Sequence, residues 1–504
     1  FHGITSPQAF FIGIVGAEVI LRQVHRSAPL SRPAQGVFAI FPTRSIIKCP
    51  RRPHYKGRHA FSGRSSMLFG MFAERHLLHG LRDTSSHIVR RLRKPRSFGS
   101  CSVALSSIPA EVAELVNEYV RKPQTSISMQ TLVRTGRGDL LSKTYKDDVI
   151  SGDLKQKAAT ERILIQVASF LRHELPIRLA HRIRDLDGVP MLRDMPSVEA
   201  VKDIYVNSFT ELLKEPKIDS PIREAEFADK LNGLYTNHSN ILIQMARGAF
   251  ELRAAVRSGK VKGRAGQKNG LVEFEQMDEI MSFLDRFYMS RIGIRVLAGQ
   301  YLALRQPPLD GYVGMICQKT SPHDIVCHAV EDAKFMCNRK FGDSPEVVIC
   351  GRLDLCFPYI PTHLHYMLLE LLKNAMRATV EKHGVDADWP PVYVIIADGK
   401  ENEDVVIKVS DEGGGIPRSY MRKIWSYLFT TADPSIQEGL VAFSGEVDHS
   451  TDSPLAGLGY GLPISRSYAR YFGGEVSIMS MEGYGTDAFI YLTRLGNSRE
   501  PLPF

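Results

Sequence analysis

Residues 362–384 read THLHYMLLELLKNAMRATVEKHG, and they set the direction for everything else in the chain. Apolar residues recur at three- and four-residue spacing, which predicts an amphipathic helix with Thr362 as N-cap and Gly384 just past its end. Glu370, Lys373, Asn374 and Arg377 fall at i, i+3, i+4 and i+7, so they share one face of a mostly apolar helix. A carboxylate can accept a proton, an amide oxygen can ligate magnesium, and two cations can meet phosphate oxygens. Taken alone, four such residues more often mark the solvated face of an ordinary helix.

Three further motifs follow in order. KVSDEGGGIP (408–417) ends a strand on Asp411 and then runs through Gly413, Gly414 and Gly415. Glycines let backbone approach a flat ring closely, and the Asp411 carboxylate can accept a hydrogen bond from an exocyclic amine; the plain alternative is a tight turn. AGLGYGLPISRSYARYF (456–472) puts Gly457, Gly459 and Gly461 directly before a helix. Backbone N–H groups there, with the positive helix end, suit a polyphosphate. No strand immediately precedes these glycines, as a dinucleotide fingerprint requires, and G-x-x-x-x-G-K-[ST] occurs nowhere in the chain. SMEGYGTDAFIYL (480–492) then sets Gly485-Thr486 at a turn entering a strand. With EVVICGR (346–352) and PVYVIIADG (391–399) as further β-branched strands, this half predicts an α/β sandwich.

Upstream, residues 108–304 carry helical periodicity. PAEVAELVNEYV opens it, ERILIQVASFLRHELPIRLAHRIRDL continues it with Pro176 as a kink or break, and REAEFADKLNGLYTNHSNILIQMARGAFELRAAV reads as one long amphipathic segment. Four or more such helices imply a bundle. RQPPLDGY (305–312) marks the boundary.

Residues 1–108 hold 17 Lys or Arg against Glu18, Glu74 and Asp83, so the net charge of +9 resides in this segment and the rest is acidic. The basic balance is therefore poor support for nucleic-acid binding by the folded body. An Arg- and Ser-rich, acid-poor start reads as a mitochondrial or plastid transit peptide, and no stretch approaches transmembrane length. Seven cysteines without a C-x-x-C pair suit a reducing compartment without structural zinc.

The ordered set Glu-x-x-Lys-Asn, Asp-x-Gly-x-Gly, Gly-x-Gly-x-Gly and Gly-Thr resembles the nucleotide site of the ATPase superfamily of gyrases, heat-shock chaperones and histidine kinases. ELLKNAMRATVE, GLPISRSYARYFGG and MEGYGTDAFIYL, with FLRHELPIRLAHRI and FLDRFYMSRIGIRVL upstream, resemble the mitochondrial 2-oxo-acid dehydrogenase kinases over about residues 108–500. The resemblance implies an α+β multidomain fold: an N-terminal four-helix bundle followed by a histidine-kinase-like α/β sandwich. Its domains would be a leader (1–107), a regulatory and docking bundle (108–305) and an ATP-binding kinase domain (311–500).

The same resemblance implies Glu370 as general base, Asn374 as magnesium ligand and Asp411 as adenine contact. Lys373, Arg377, Gly413, Gly415, Thr430, Thr431, Gly457, Leu458, Gly459, Tyr460, Gly461, Leu462 and Thr486 would complete the ATP site, under a polar lid at about 430–456. Tyr205, Ser208, His238, Arg291 and Arg295 match a 2-oxo-acid effector pocket. One pocket position that is Arg in animal pyruvate dehydrogenase kinases is Tyr235 here. A His that those enzymes place four residues before the base is Tyr366 here, as in the branched-chain kinase, whereas TRLGNSREPLP and FPYIPTHLH resemble the plant pyruvate dehydrogenase kinase.

The activity implied is ATP-dependent phosphorylation of serine on the decarboxylase subunit of a 2-oxo-acid dehydrogenase complex. It implies ATP and magnesium as cofactors, docking on a lipoyl domain, a homodimer and the mitochondrial matrix. Pyruvate dehydrogenase is the substrate favoured and the branched-chain complex the alternative. A histidine kinase using His173 stays a further alternative, although its box would space the proline farther along. His363 and His365, two apart on a helix, diverge too far to share a metal.

Overall fold

Long apolar stripes need a partner, and in the computed structural model they find one another along a single central helix. The structure describes residues 108–139, 152–259, 274–399, 404–431 and 457–502. The leader, the basic loop over 260–273 and the lid over 432–456 lie outside the described residues. The helices of the first half are α1 (Ala110–Val120), α2 (Met129–Gly136), α3 (Gly152–Gly188), α4 (Pro196–Leu213), α5 (Pro221–Asn237), α6 (Ile241–Arg257) and α7 (Asp278–Leu304). Helix α3 is the centre: Leu171, Leu175, Leu179, Ile183 and Leu186 recur every three or four residues and are buried. They meet α1, α4, α5 and α7. Each such side chain contributes about 1.5–3 kcal/mol on burial.

Two expectations are corrected here. Pro176 breaks nothing, because α3 runs through it from Gly152 to Gly188; packing on four neighbours outweighs one missing backbone donor. The long segment 223–256 is two helices, not one. It parts at His238-Ser239-Asn240, where turn-forming side chains follow Asn237, and the break delivers His238 to the cavity described below.

In the second half, β1 (Tyr312–Val313), β2 (Ile316–Thr320) and β4 (Phe357–Tyr359) make a small antiparallel sheet in the order β1-β2-β4. The larger sheet orders β3 (Val347–Gly351), β5 (Val392–Asp398), β6 (Asp404–Asp411), β8 (Gly485–Thr493) and β7 (Glu475–Met481) as β3-β5-β6-β8-β7. Only the β3–β5 pair is parallel. Alternate residues Val392, Val394 and Ile396, Val405, Ile407 and Val409, and Ala488, Ile490 and Leu492 are buried on one face. Helix α9 (Pro361–His383) packs on β6 and α10 (Gly461–Tyr471) on β7 and β8, while α8 (Pro322–Phe341) lies against α9 and β5. The start of α9 differs from expectation: Pro361 is its first residue and Ile360 the cap, so Thr362 sits inside the first turn. Gly384, at φ 90°, ends it as its position after His383 suggests.

Helix α10 also packs on α7, and a buried ionic junction lies alongside. The Arg178 guanidinium on α3 grips both oxygens of Glu500, while its Nε donates to Glu174 at 2.9 Å and one Nη donates to the Thr125 carbonyl at 2.7 Å. Tyr471 at the end of α10 donates to Glu500 Oε2 at 2.7 Å. The Ile127 carbonyl accepts from the Glu500 amide at 3.0 Å, pairing residues 127–128 with 499–500. Gly293 of α7 closes the site, since a Cβ there would lie 2.9 Å from both Arg178 Nη1 and Glu500 Oε2. These carboxylates hold the buried guanidinium charged, well above its ordinary range despite the cost of burial. Glu500→Ala leaves a buried cation short of its main partner and is expected to cost about 3–5 kcal/mol in denaturant unfolding; a loss below 1 kcal/mol would show that solvent reaches Arg178.

Candidate active site

The polar face of α9 is assembled as its spacing requires. Glu370 is buried, at 4% exposure, with Lys373 Nζ 2.7 Å from its Oε1. Asn374 lies beside them, half-buried. One turn on, Arg377 reaches across to donate to Thr431 Oγ1 at 3.3 Å, at the point where the lid begins.

Asp411 stands at the end of β6, paired in register with Thr486 of β8. Its Oδ1 accepts from the Gly413 amide at 2.8 Å and the Thr486 amide at 3.3 Å, which leaves Oδ2 for an incoming amine. Burial pushes the carboxyl up to about 6, and those two N–H groups pull against the rise. The glycines around it are demanded by backbone packing. A Cβ at Gly413 would lie 2.5 Å from Ala378 Cβ of α9, and one at Gly485 would lie 2.0 Å from the Asp411 carbonyl. Gly415 adopts φ 72° with the Met481 carbonyl where a side chain would go. The second and fourth motifs thus lock into one another and against the first.

The third motif closes the set. Gly459, at φ 80°, packs on the Leu428 and Phe429 backbone, and a Cβ at Gly461 would lie 2.2 Å from Glu370 Oε2. Leu458 and Tyr460 are buried, so this loop offers a ligand its backbone and not those side chains. Tyr460 instead packs its ring on Tyr427 and on Tyr288 of α7, with centroids 5.3 and 5.9 Å apart. Leu462 is half-buried and Thr430 half-exposed at the rim.

A second cluster lies apart, between α3, α4, α5 and α7. Tyr205, Ser208, His238, Arg291 and Arg295 all line one cavity, with Tyr235. Ser208 Oγ is 2.8 Å from His238 Nε2, and Arg291 donates to the His238 and Ser239 carbonyls at 3.1 and 3.3 Å. The Arg295 guanidinium lies over the Tyr235 ring, 4.0 Å from its centroid. Burial first, then Arg291 and Arg295, push His238 down to about 3, so it is neutral. Burial and Arg295 likewise lower Arg291, which has no carboxylate partner among the described residues and whose Nε has no acceptor there. A buried guanidinium in that condition favours an anion.

The remaining candidates separate. His363 is buried against the Tyr468 ring, while His365 turns to Asp332 of α8 at 3.0 Å, so the two diverge. His173 is exposed on α3. Two participants carried no sequence signal. Leu428, a non-glycine at φ 66°, forms the base of the lid, with its carbonyl accepting from Arg253 of α6 at 3.3 Å. The Ser480 hydroxyl takes the Ile416 amide at 2.7 Å and lies 3.0 Å from Thr486 Oγ1, tying the Asp411 turn to its hairpin.

Both halves of the chain resemble known proteins. Residues 359–495 match the family described as histidine kinase-, DNA gyrase B-, and HSP90-like ATPase, and residues 151–317 match that described as mitochondrial branched-chain alpha-ketoacid dehydrogenase kinase. The chain is 41% identical over 404 residues to the mitochondrial pyruvate dehydrogenase (acetyl-transferring) kinase of Arabidopsis thaliana, covering 79% of this chain and 99% of that protein. It is 37% identical to the Schizosaccharomyces pombe kinase of the same name, covering 79% of this chain and all of the other. With isozyme 4 of Mus musculus the identity is 35%, covering 81% and 89%. Similarity of that extent, with the four nucleotide motifs folded against one another, makes this chain a member of the mitochondrial pyruvate dehydrogenase kinase family.

Proposed function

We propose that this chain is an ATP-dependent protein-serine kinase that phosphorylates, and so inactivates, the decarboxylase subunit of the pyruvate dehydrogenase complex. The observation that carries the reading is the meeting of a buried carboxylate, Glu370, with the glycine end of a polyphosphate loop at Gly461. A base and a phosphate cradle in contact are what in-line transfer of a γ-phosphate to a hydroxyl requires, since that reaction needs positioning and charge neutralisation more than covalent chemistry. Glu370 takes the serine proton. Asp411 holds the adenine amine, the backbone of Gly457–Leu462 and the α10 N-terminus receive the phosphates, and Lys373, Arg377, Thr430, Thr431 and Thr486 complete the grip. Asn374, a hard oxygen donor beside Glu370, would hold magnesium, which offsets phosphate charge.

The long helices of 108–305 act in this reading as a four-helix bundle that docks a lipoyl domain, and residues 311–500 as the kinase domain. The enzyme is a homodimer of the mitochondrial matrix. Among the described residues no helix is long and apolar enough to cross a membrane. Arg291 and Arg295 make the second cavity a site for a small 2-oxo acid that inhibits. The match of residues 151–317 to a family described by the branched-chain kinase supports the branched-chain complex as a second reading of the substrate.

Incubating the full chain with γ-labelled ATP, magnesium and each purified dehydrogenase complex tests this directly. Acid-stable label is expected on the pyruvate dehydrogenase decarboxylase subunit and none with Glu370→Gln; label on the branched-chain subunit alone would replace the substrate, and acid-labile label on the chain itself would make it a histidine kinase. Asp411 adds a pH signature. The adenine amine needs the ionised carboxylate, so ATP affinity holds above pH 6 and falls by up to about tenfold per unit below it; affinity flat from pH 7 to 5 by calorimetric titration would remove Asp411 from the adenine. Arg295→Ala is expected to abolish inhibition by 2-oxo acids and leave basal activity unchanged. Persisting inhibition would place the effector elsewhere.

A further inference from the structure

Asp411 is held through one oxygen, and the shorter of its two amide bonds is the one to Gly413 at 2.8 Å. Whatever fixes Gly413 therefore also aims Oδ2. The residues on both sides of it are tied down. His383, the last residue of α9, donates from Nε2 to the Glu412 carbonyl at 3.1 Å, and the Tyr484 hydroxyl donates to Glu412 Oε1 at 3.0 Å. On the far side, the Gly414 amide donates to the Tyr484 carbonyl at 2.9 Å, and the Gly414 carbonyl accepts from the Gly483 amide at 2.7 Å. Gly483 and Tyr484 lie in the turn between β7 and β8, so a two-bond ladder joins the glycine turn to the tip of that hairpin.

Lys382 closes the arrangement from α9. Its Nζ donates to the Gly483 carbonyl at 2.9 Å, and its stem lies over Gly414, where a Cβ would come 2.9 Å from Lys382 Cδ. Gly414 stands at φ 88°, between two other glycines. Such a run has more backbone freedom than any other sequence, and by itself would leave Asp411 loosely aimed. Lys382, His383 and Tyr484 take that freedom away. Each of their bonds is solvated and individually modest, but all of them act on one turn.

The geometry points to Lys382 and Tyr484 as positioning residues for nucleotide choice: they clasp the glycine turn between α9 and the hairpin tip, and so hold Asp411 where it distinguishes a purine bearing a 6-amino group from one bearing a carbonyl. They act through Gly413 and not on the nucleotide itself. An amine donates to the carboxylate, whereas a carbonyl sets oxygen against oxygen, and an acceptor left unmet is what makes such a site selective. That selectivity is only as sharp as the aim of Oδ2. The inference rests on Asp411 being the adenine contact.

The test titrates the full chain calorimetrically with magnesium and either ATP or inosine triphosphate, which carries a carbonyl where ATP carries the amine. Wild type, Lys382→Ala, Lys382→Arg, Tyr484→Phe and Asp411→Asn are compared. Wild type should prefer ATP, and Asp411→Asn should bring the two nucleotides close to parity, because an amide can meet either group. Lys382→Ala and Tyr484→Phe should each lower the preference by about twofold to tenfold through weaker ATP binding alone. Lys382→Arg, which keeps a donor and a stem, should retain it. Melting temperatures should not move, since the side chains changed are exposed. A wild-type preference in both Lys382→Ala and Tyr484→Phe, with Asp411→Asn at parity, would overturn the clasp alone. Equal weakening of both nucleotides would assign the two residues to general support of the site and overturn it as well. A wild-type preference in Asp411→Asn would remove the adenine assignment itself, and the clasp with it.

Discussion

One guanidinium, 2% exposed, holds four separate stretches of this chain at a single point. Arg178 meets α3 through Glu174, the loop before α2 through the Thr125 carbonyl, and the segment after β8 through Glu500, which in turn receives Tyr471 of α10. A buried ion is costly, and it is tolerated here because nearly every donor it owns is met. The junction still carries two carboxylates against one cation, and Glu174 Oε2 has no partner among the described residues. Such a site contributes specificity of arrangement more than net stability. It admits one relative placement of helices and sheet, because any other strands a charge in the core.

Glycine solves the complementary problem on the nucleotide side. A site for a large polyanion needs backbone N–H groups in the open and carboxylates at hand, and this structure obtains both by removing side chains where elements cross. Gly413 lets the β6 turn rest on α9, Gly485 lets β8 reach Asp411, and Gly461 leaves room for Glu370. Each of these glycines serves the protein's own packing first, which is why the glycine loop before α10, Asp411 and Glu370 arrive already in register with one another.

Much of this was readable from residue order. The apolar spacing of α9 predicted its helix, and the alternating strand and helix patterns predicted the sandwich, because both depend on local periodicity. The pocket residues at 205, 208, 238, 291 and 295 come from two helices and the break between α5 and α6, and the family resemblance collected them where spacing could not. The misreadings have two causes. Packing carries α3 through Pro176, whereas the break at His238 and the Pro361 start of α9 follow local turn and cap chemistry that periodicity concealed. The Arg178–Glu500 pair was invisible for another reason, as no pattern joins residues 322 apart. Leu428 at φ 66° left no trace either, since leucine does not ordinarily adopt that conformation.

That separation of 322 residues has a bearing on biogenesis. Helix α3 is synthesised early, yet the acid that completes its charged centre follows only after roughly 16–64 s at ordinary elongation rates. Over that interval the first helices can condense, but Arg178 has Glu174 alone for company and the native junction cannot close. Until Glu500 emerges, Arg178 is a cation only half met, so the final placement of helices and sheet waits for that residue.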